Sequence, residues 1–392
     1  MRIGIFGGSF NPPHLGHVRA AQRAVEALRL DRLLIVPACV PPHKLLAENS
    51  PSPEARAKLC ETAFAGISKA EVSDIELRRG EVSYTADTVD ALRTSEPDAE
   101  LVLLVGTDML CCFEKWFRFE DILKACTLSV FCRDAGEDAE TQAAAEALRR
   151  KYGAEITSVP LTPYPASSTD IRAALAHREK PESLAEDVYA EIIRSRYYGA
   201  KPEFRWLREQ SYACLKPKRI PHVEGTEQEA VSLARRWGAD TEDAAEAAIL
   251  HDITKKYDTN EQLLLCQKYG IINDTAEAEN GKLLHAKTGA VYARERFGIS
   301  DAVYDAIRWH TTGRAGMRLL EKIIYMADYI EPHRDFPGVE KLRTLAYEDL
   351  NAAMILGLEM SLDDLRSYGI EPHERSMEAL SAFRAEAGAQ NR

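Results

Sequence analysis

The chain has 392 residues, room for two or three domains at roughly 100–200 residues each, and long enough to bury a core without disulfides or a structural metal. A composition of 45% hydrophobic and 29% charged residues, with 22 Gly and 18 Pro, excludes a disordered, collagen-like or low-complexity chain. The net charge of −12 divides evenly, with 24 basic and 30 acidic residues up to position 200 and 26 and 32 beyond it, which excludes a general nucleic-acid binder but not a small phosphorylated substrate held by local cations.

No window approaches the ~18 apolar residues of a membrane span. The opening MRIGIFGGSFNPPH, with one basic residue and an apolar run broken at Gly7-Gly8, is no signal peptide. The eight cysteines form no CxxC pair and no regular framework, so they read as reduced thiols. A cytoplasmic protein without a membrane partner is expected, and nothing in the sequence speaks against a homo-oligomer.

In chain order, short apolar runs at Ile3–Phe6, Leu33–Val36, Leu101–Val105 and Leu128–Phe131 alternate with helical patterns at Leu15–Leu28, Ala55–Phe64, Thr85–Leu92, Thr141–Tyr152 and Leu184–Tyr197. Runs of that length bounded by turn signals are buried parallel strands, and the alternation predicts an α/β domain. From Phe204 onward only helical periodicity is evident, at Glu227–Trp237, Thr241–Leu250, Glu261–Tyr269, His285–Phe297, Asp301–His310, Leu319–Ile330 and Met377–Ala387. The Gly/Pro break at Tyr198-Gly199-Ala200-Lys201-Pro202 predicts an α/β domain over 1–198, a linker over 199–204 and an all-α domain over 205–392.

The first strand runs into Gly7-Gly8-Ser9-Phe10-Asn11-Pro12-Pro13-His14-Leu15-Gly16-His17 and then a helix. Paired glycines let the backbone approach a ligand, and a helix N-terminus attracts phosphate. His14 and His17, three apart at that helix start, project to one side of the turn. A second helix start, Ser167-Ser168-Thr169-Asp170-Ile171-Arg172, offers capping hydroxyls and a fixed cation. Together these segments resemble the nucleotidylyltransferase superfamily, in which both contact ATP. With Pro41-Pro42-His43-Lys44, Ser83-Tyr84-Thr85-Ala86-Asp87-Thr88, Gly106-Thr107-Asp108 and Trp116, residues 1–198 closely resemble bacterial nicotinate mononucleotide adenylyltransferases.

That resemblance implies a Rossmann-like fold and adenylyl transfer from ATP to nicotinate mononucleotide, with Mg²⁺ on the phosphates. It implies that ATP meets Gly7, Gly8, Ser9, Phe10, His14, His17, Asp108, Ser168, Thr169 and Arg172, with His14, His17 and Arg172 catalytic. Lys44 would supply a further phosphate cation, and Thr85 and Trp116 would lie along the nicotinate mononucleotide site. Asn11 and Ala166 depart mildly from the pattern, where Asp and Ile are common.

In the second half, His222, His251-Asp252, His285, His310 and Asp328 fall in order at helical positions or in dense motifs. This resembles the HD phosphohydrolase superfamily, in which imidazoles and carboxylates hold metal while open positions take water and phosphate. These six residues suffice for a dinuclear centre with Asp252 bridging and catalytic, whereas His333 and His373 fall outside the pattern. Leu250–Lys255, Trp309–Arg314 and Ala327–Pro332 look like the YqeK-type HD hydrolases, which implies symmetrical cleavage of diadenosine tetraphosphate to two ADP, iron as the metal pair, and Lys255 and Arg314 as phosphate-holding cations. Two other readings of this half stay open: hydrolysis of another nucleotide or phosphorylated metabolite, and a nucleotide-sensing regulatory module.

Overall fold

A computed structural model describes residues 1–42, 45–132, 139–162, 164–271 and 281–390. The chain divides into two units, Met1–Lys201 and Pro202–Arg392.

The first unit is built on six parallel strands, β1 (Arg2–Gly8), β2 (Arg32–Pro37), β3 (Ala70–Val72), β4 (Glu100–Val105), β5 (Cys126–Cys132) and β6 (Ile156–Pro160), in the order β3-β2-β1-β4-β5-β6. Successive side chains of a strand point to opposite faces, so the unbroken apolar run of β4 feeds two cores. Leu101, Leu103 and Val105 join Ile3, Ile5, Leu128 and Val130 on one face; Val102 and Leu104 join Leu33, Ile35, Ala24 and Phe64 on the other. Strand order reverses between β1 and β4, the position at which doubly wound sheets open a crevice beyond their carboxyl ends. Pairing there runs from Arg2↔Glu100 to Ile5↔Leu103, and β1 continues three residues further to Gly8.

β3 and β6 escape the sequence reading. β3 has only three residues, and β6 reads Ile-Thr-Ser-Val-Pro with one fully buried position. The expected linker differs as well. Tyr198 and Ala200 are buried in the first unit, with Tyr198 N–H donating to the Asn49 carbonyl (3.2 Å) and Lys201 N–H to that of Leu175 (3.1 Å). Residues 199–201 therefore complete the first unit, and the next helix begins at Phe204.

The second unit holds helices at Phe204–Tyr212, Ile220–Trp237, Thr241–Leu250, Thr259–Tyr269, Gly281–Phe297, Asp301–Trp309, Leu319–Ile330, Val339–Glu348, Leu350–Ser367 and Glu374–Gln390, and no strand among the described residues. Thr241–Leu250 starts on an Asp240 cap and buries every residue from Ala244 to Leu250, which makes it the central helix. No helix among the described residues is long and apolar enough to cross a membrane.

Candidate active sites

In the first unit, the site sits where β1 ends. His14 is the N-cap residue of the helix Leu15–Ala27, and its ring stacks on that of His17, with centroids 3.7 Å apart. His17 Nδ1 accepts the His14 backbone N–H at 3.2 Å. The intervening Gly16 is a matter of space, because a Cβ there would lie 2.9 Å from His14 Nδ1. Burial pushes the His14 pKa down to about 4, and its Nδ1 is buried without a hydrogen-bond partner. The ring is thus neutral at pH 7, beside a turn suited to anions.

The second motif, more than 150 residues away in sequence, is tied directly to this turn. Ser168 Oγ donates to the Pro12 carbonyl at 3.0 Å, and Arg172 Nη1 donates to the Asn11 carbonyl at 2.7 Å. Ser167 caps the helix Ser168–Ala176 by accepting the Thr169 and Asp170 N–H groups, and Arg172 Nη2 donates to Thr169 Oγ1 at 3.2 Å. His14, His17, Ser168, Thr169 and Arg172 are brought together as expected. Gly7 faces open space, whereas Phe10 is 1% exposed and packs among Phe6, His17 and Phe64, so only its backbone is placed to meet a ligand.

Sequence reasoning missed Arg56. This side chain is fully buried and donates to the carbonyls of Ser9 (2.7 Å), Ala38 (2.6 Å) and Cys39 (3.1 Å), fastening the β1 loop to the end of β2. Nothing about a lone arginine in an amphipathic helix signals this.

Asp108 stands exposed in the first turn after β4, on a cavity of ≈ 940 Å³ that Gly106, Thr107, Val130 and Ser158 also line. Thr85 opens the helix Thr85–Ser95 and is half-buried. Trp116 is half-buried against the core, 4.8 Å from Phe113, and its buried Nε1 has no hydrogen-bond acceptor. Lys44 lies outside the described residues.

In the second unit, the central helix delivers His251 and Asp252 from its C-terminal end, both fully buried. His222 comes from the helix Ile220–Trp237, His285 from Gly281–Phe297, His310 from the end of Asp301–Trp309 and Asp328 from Leu319–Ile330. All six expected residues converge. Two groups of ligand atoms, His222/His251/Asp328 and His251/Asp252/His310, each lie within 4.8 Å of one another. His285 Nε2 is 3.1 Å from both Asp252 Oδ1 and His310 Nε2, and His222 Nε2 is 3.3 Å from His251 Nε2.

The donor set fits metal. His251 Nδ1 and His310 Nδ1 are each held 2.7 Å from a backbone carbonyl, Ala248 and Ile307, and His222 Nδ1 lies 3.0 Å from Glu331 Oε1. With Nδ1 as donor in each ring, Nε2 is turned toward the centre. Burial opposes a charge on His251, but the adjoining Asp252 outweighs it and raises that pKa, so this ring would release a proton on binding a metal. Asp252 Oδ1 is buried without a hydrogen bond, a cost a cation would relieve. Burial holds His310 below the usual range, and burial together with Lys255 pushes His285 down to about 3, so both rings are in the neutral, ligating form. Burial alone would raise the Asp252 and Asp328 carboxyls. Neighbouring cationic and imidazole groups, chiefly His251 and Lys255 for Asp252 and His222 and His251 for Asp328, hold both well below the carboxylate range.

The cations divide. Lys255 Nζ reaches the centre, 2.9 Å from His285 Nε2 and 3.6 Å from Asp252 Oδ1. Arg314 instead forms a two-pronged pair with the buried Glu321 (2.7 and 2.8 Å), so its guanidinium is committed to the scaffold of the His310 loop. Arg219, missed in the sequence, donates to Asp252 Oδ2, and Arg334 to Asp328 Oδ1 at 2.9 Å.

The fold and the two sites define a class: an α/β nucleotide-binding domain with a nucleotidyl-transfer turn, joined to a helical His/Asp metal-centre domain. Family comparison agrees. The cytidylyltransferase-like family matches residues 5–174 and the HD domain family residues 219–333. The chain is 50% identical over 145 residues to the "Bis(5'-nucleosyl)-tetraphosphatase, symmetrical" of Halalkalibacterium halodurans, covering 37% of this chain and 77% of that one. It is 37% identical over 202 residues to the "Probable nicotinate-nucleotide adenylyltransferase" of Gemmatimonas aurantiaca (50% and 90% covered) and 42% over 197 residues to that of Thermotoga maritima (48% and 90%). The chain belongs to the nicotinate-nucleotide adenylyltransferase family in its first half and to the HD-domain symmetrical tetraphosphatase family in its second, both families of enzymes.

Proposed function

We propose a bifunctional cytoplasmic enzyme that makes deamido-NAD from ATP and nicotinate mononucleotide in its first unit and hydrolyses diadenosine tetraphosphate to two ADP in its second. The observation that carries the first half is the stitching of Arg172 and Ser168 onto the Asn11-Pro12 carbonyls. It joins two phosphate-binding helix starts into one cradle. A phosphate oxygen of the mononucleotide attacks the α-phosphorus of ATP, the bond from that phosphorus to the bridging oxygen breaks, and pyrophosphate leaves with the electron pair. No covalent nucleophile on the enzyme is needed. His14, His17, the Thr169 region and Arg172 align the triphosphate and stabilise the charge shifting to the leaving group, with Mg²⁺ as the expected counter-cation.

In the second unit, His222, His251, Asp252, His285, His310 and Asp328 would hold a divalent pair, with iron the choice implied by family resemblance. Bound there, the pair supplies an activated water and neutralises phosphate charge. Lys255, Arg219 and Arg334 surround the carboxylates and are the cations nearest an incoming tetraphosphate. Water adds to one of the two central phosphorus atoms, the central P–O–P bridge breaks and two ADP result. A sensing module has no use for so complete a ligand set.

Product analysis tests the reading. ATP with nicotinate mononucleotide should yield pyrophosphate and deamido-NAD, and diadenosine tetraphosphate should yield ADP alone. AMP plus ATP from the tetraphosphate would contradict it.

A further inference from the structure

We infer that Glu331 is a positioning residue for the metal centre, fixing His222 so that one of the two metal positions is built, and that Gly225 is the gap that lets it do so. The inference rests on the metal-centre reading above.

Glu331 directly follows the helix Leu319–Ile330 that carries Asp328 and is 1% exposed. A carboxylate so buried persists only when paired. Its Oε1 takes His222 Nδ1 at 3.0 Å, while Oε2 accepts the His333 backbone N–H at 2.7 Å and lies 3.1 Å from His333 Nδ1. The opposite edge of the same imidazole, Nε2, lies 2.9 Å from Asp328 Oδ1. One short segment, Asp328–Glu331, therefore grips His222 from both sides. A carboxylate on Nδ1 fixes the tautomer, aims Nε2 and raises its basicity toward a metal.

Gly225 supplies the second, independent observation. It lies inside the helix Ile220–Trp237, where glycine weakens a helix relative to alanine. It has ordinary helical backbone, so no turn requires it. A Cβ at this position would sit 2.4 Å from Glu331 Oε2 and 3.1 Å from His333 Nδ1. The glycine, one turn beyond His222, clears the path by which the carboxylate reaches the ring.

The imidazoles of the other ligand group, His251/Asp252/His310, are supported differently: His251, which the two groups share, and His310 rest on backbone carbonyls, with no carboxylate behind them. Loss of Glu331 should therefore weaken one ion and spare the other.

The test is Co²⁺ titration of the metal-free full chain, read by visible absorption and by bound cobalt per chain, with helix content and melting temperature followed in parallel. The wild type should take two ions. E331A should weaken one of them by about 10–100-fold, the isosteric E331Q by several-fold, and G225A should reproduce the E331A pattern. Wild-type affinity for both ions in E331Q and E331A overturns the inference, and so does equal weakening of both, which marks a merely structural role. If E331A or G225A fails to fold, E331Q decides alone by the same criterion. A wild type that binds no cobalt overturns the metal-centre reading itself and this inference with it.

Discussion

At the scale of single residues, both sites depend on histidine rings that burial holds below their ordinary pKa. His14 sits at the crevice with its pKa lowered to about 4 from the ordinary 6.5, because burial penalises the charged ring. Between those two values the unfolded chain binds a proton that the folded chain does not. Stability contributed by this residue is therefore intact above pH 6.5 and falls as pH drops toward 4. Urea denaturation at pH 7 and pH 5 should show a smaller loss on acidification in His14→Gln than in the wild type. An equal loss would mean that the ring is not held neutral by the fold. The same variant should lower kcat for adenylyl transfer by about 10²–10³, the scale seen when a charge-stabilising donor is removed. The ligand imidazoles were legible from residue type, since neutral histidines ordered with Asp252 and Asp328 have few other uses together. Arg56, Arg219 and Glu331 were not, because an isolated charge in a helical pattern reads as a solvated face until packing supplies its partner.

At the scale of elements, the central strands and most helices could be read because their burial pattern is strong. β2 and β4 are apolar on both faces, and Thr241–Leu250 runs through an alanine-rich stretch that is buried on every side from Ala244 onward. What failed to show was short, at an edge, or run together. β3 and β6 are the outermost strands. Val339–Glu348 and Leu350–Ser367 meet at the single residue Asp349, which ends one helix and caps the next, so the period breaks without a visible loop. The loop after β1 depends on Arg56 from the helix Pro53–Phe64. Arg56→Met should leave three carbonyls without their donor and destabilise the first unit by roughly 2–5 kcal/mol. Thermal unfolding of residues 1–201 would measure it, and a loss below about 1 kcal/mol would show that the clamp is dispensable.

At the scale of the whole molecule, the length allowed two domains or three, and the contacts resolve into two units with a junction at Lys201-Pro202. Each unit carries a full set of residues for its own chemistry. Fragments 1–201 and 202–392 should fold separately and keep adenylyl transfer and tetraphosphate hydrolysis respectively; a fragment that is folded but inactive would show that a site borrows residues across the junction. A cut at 198 should do worse than one at 201, because Tyr198 and Ala200 are buried in the first unit.

Independence of the two catalysts on one chain is measured by crossed single substitutions in the full-length protein. His14→Gln and Asp252→Ala are each assayed for pyrophosphate release from ATP with nicotinate mononucleotide and for ADP from diadenosine tetraphosphate. His14→Gln should lose only the first activity and Asp252→Ala only the second. Loss of both activities in either folded variant, or hydrolysis that survives Asp252→Ala, would contradict it.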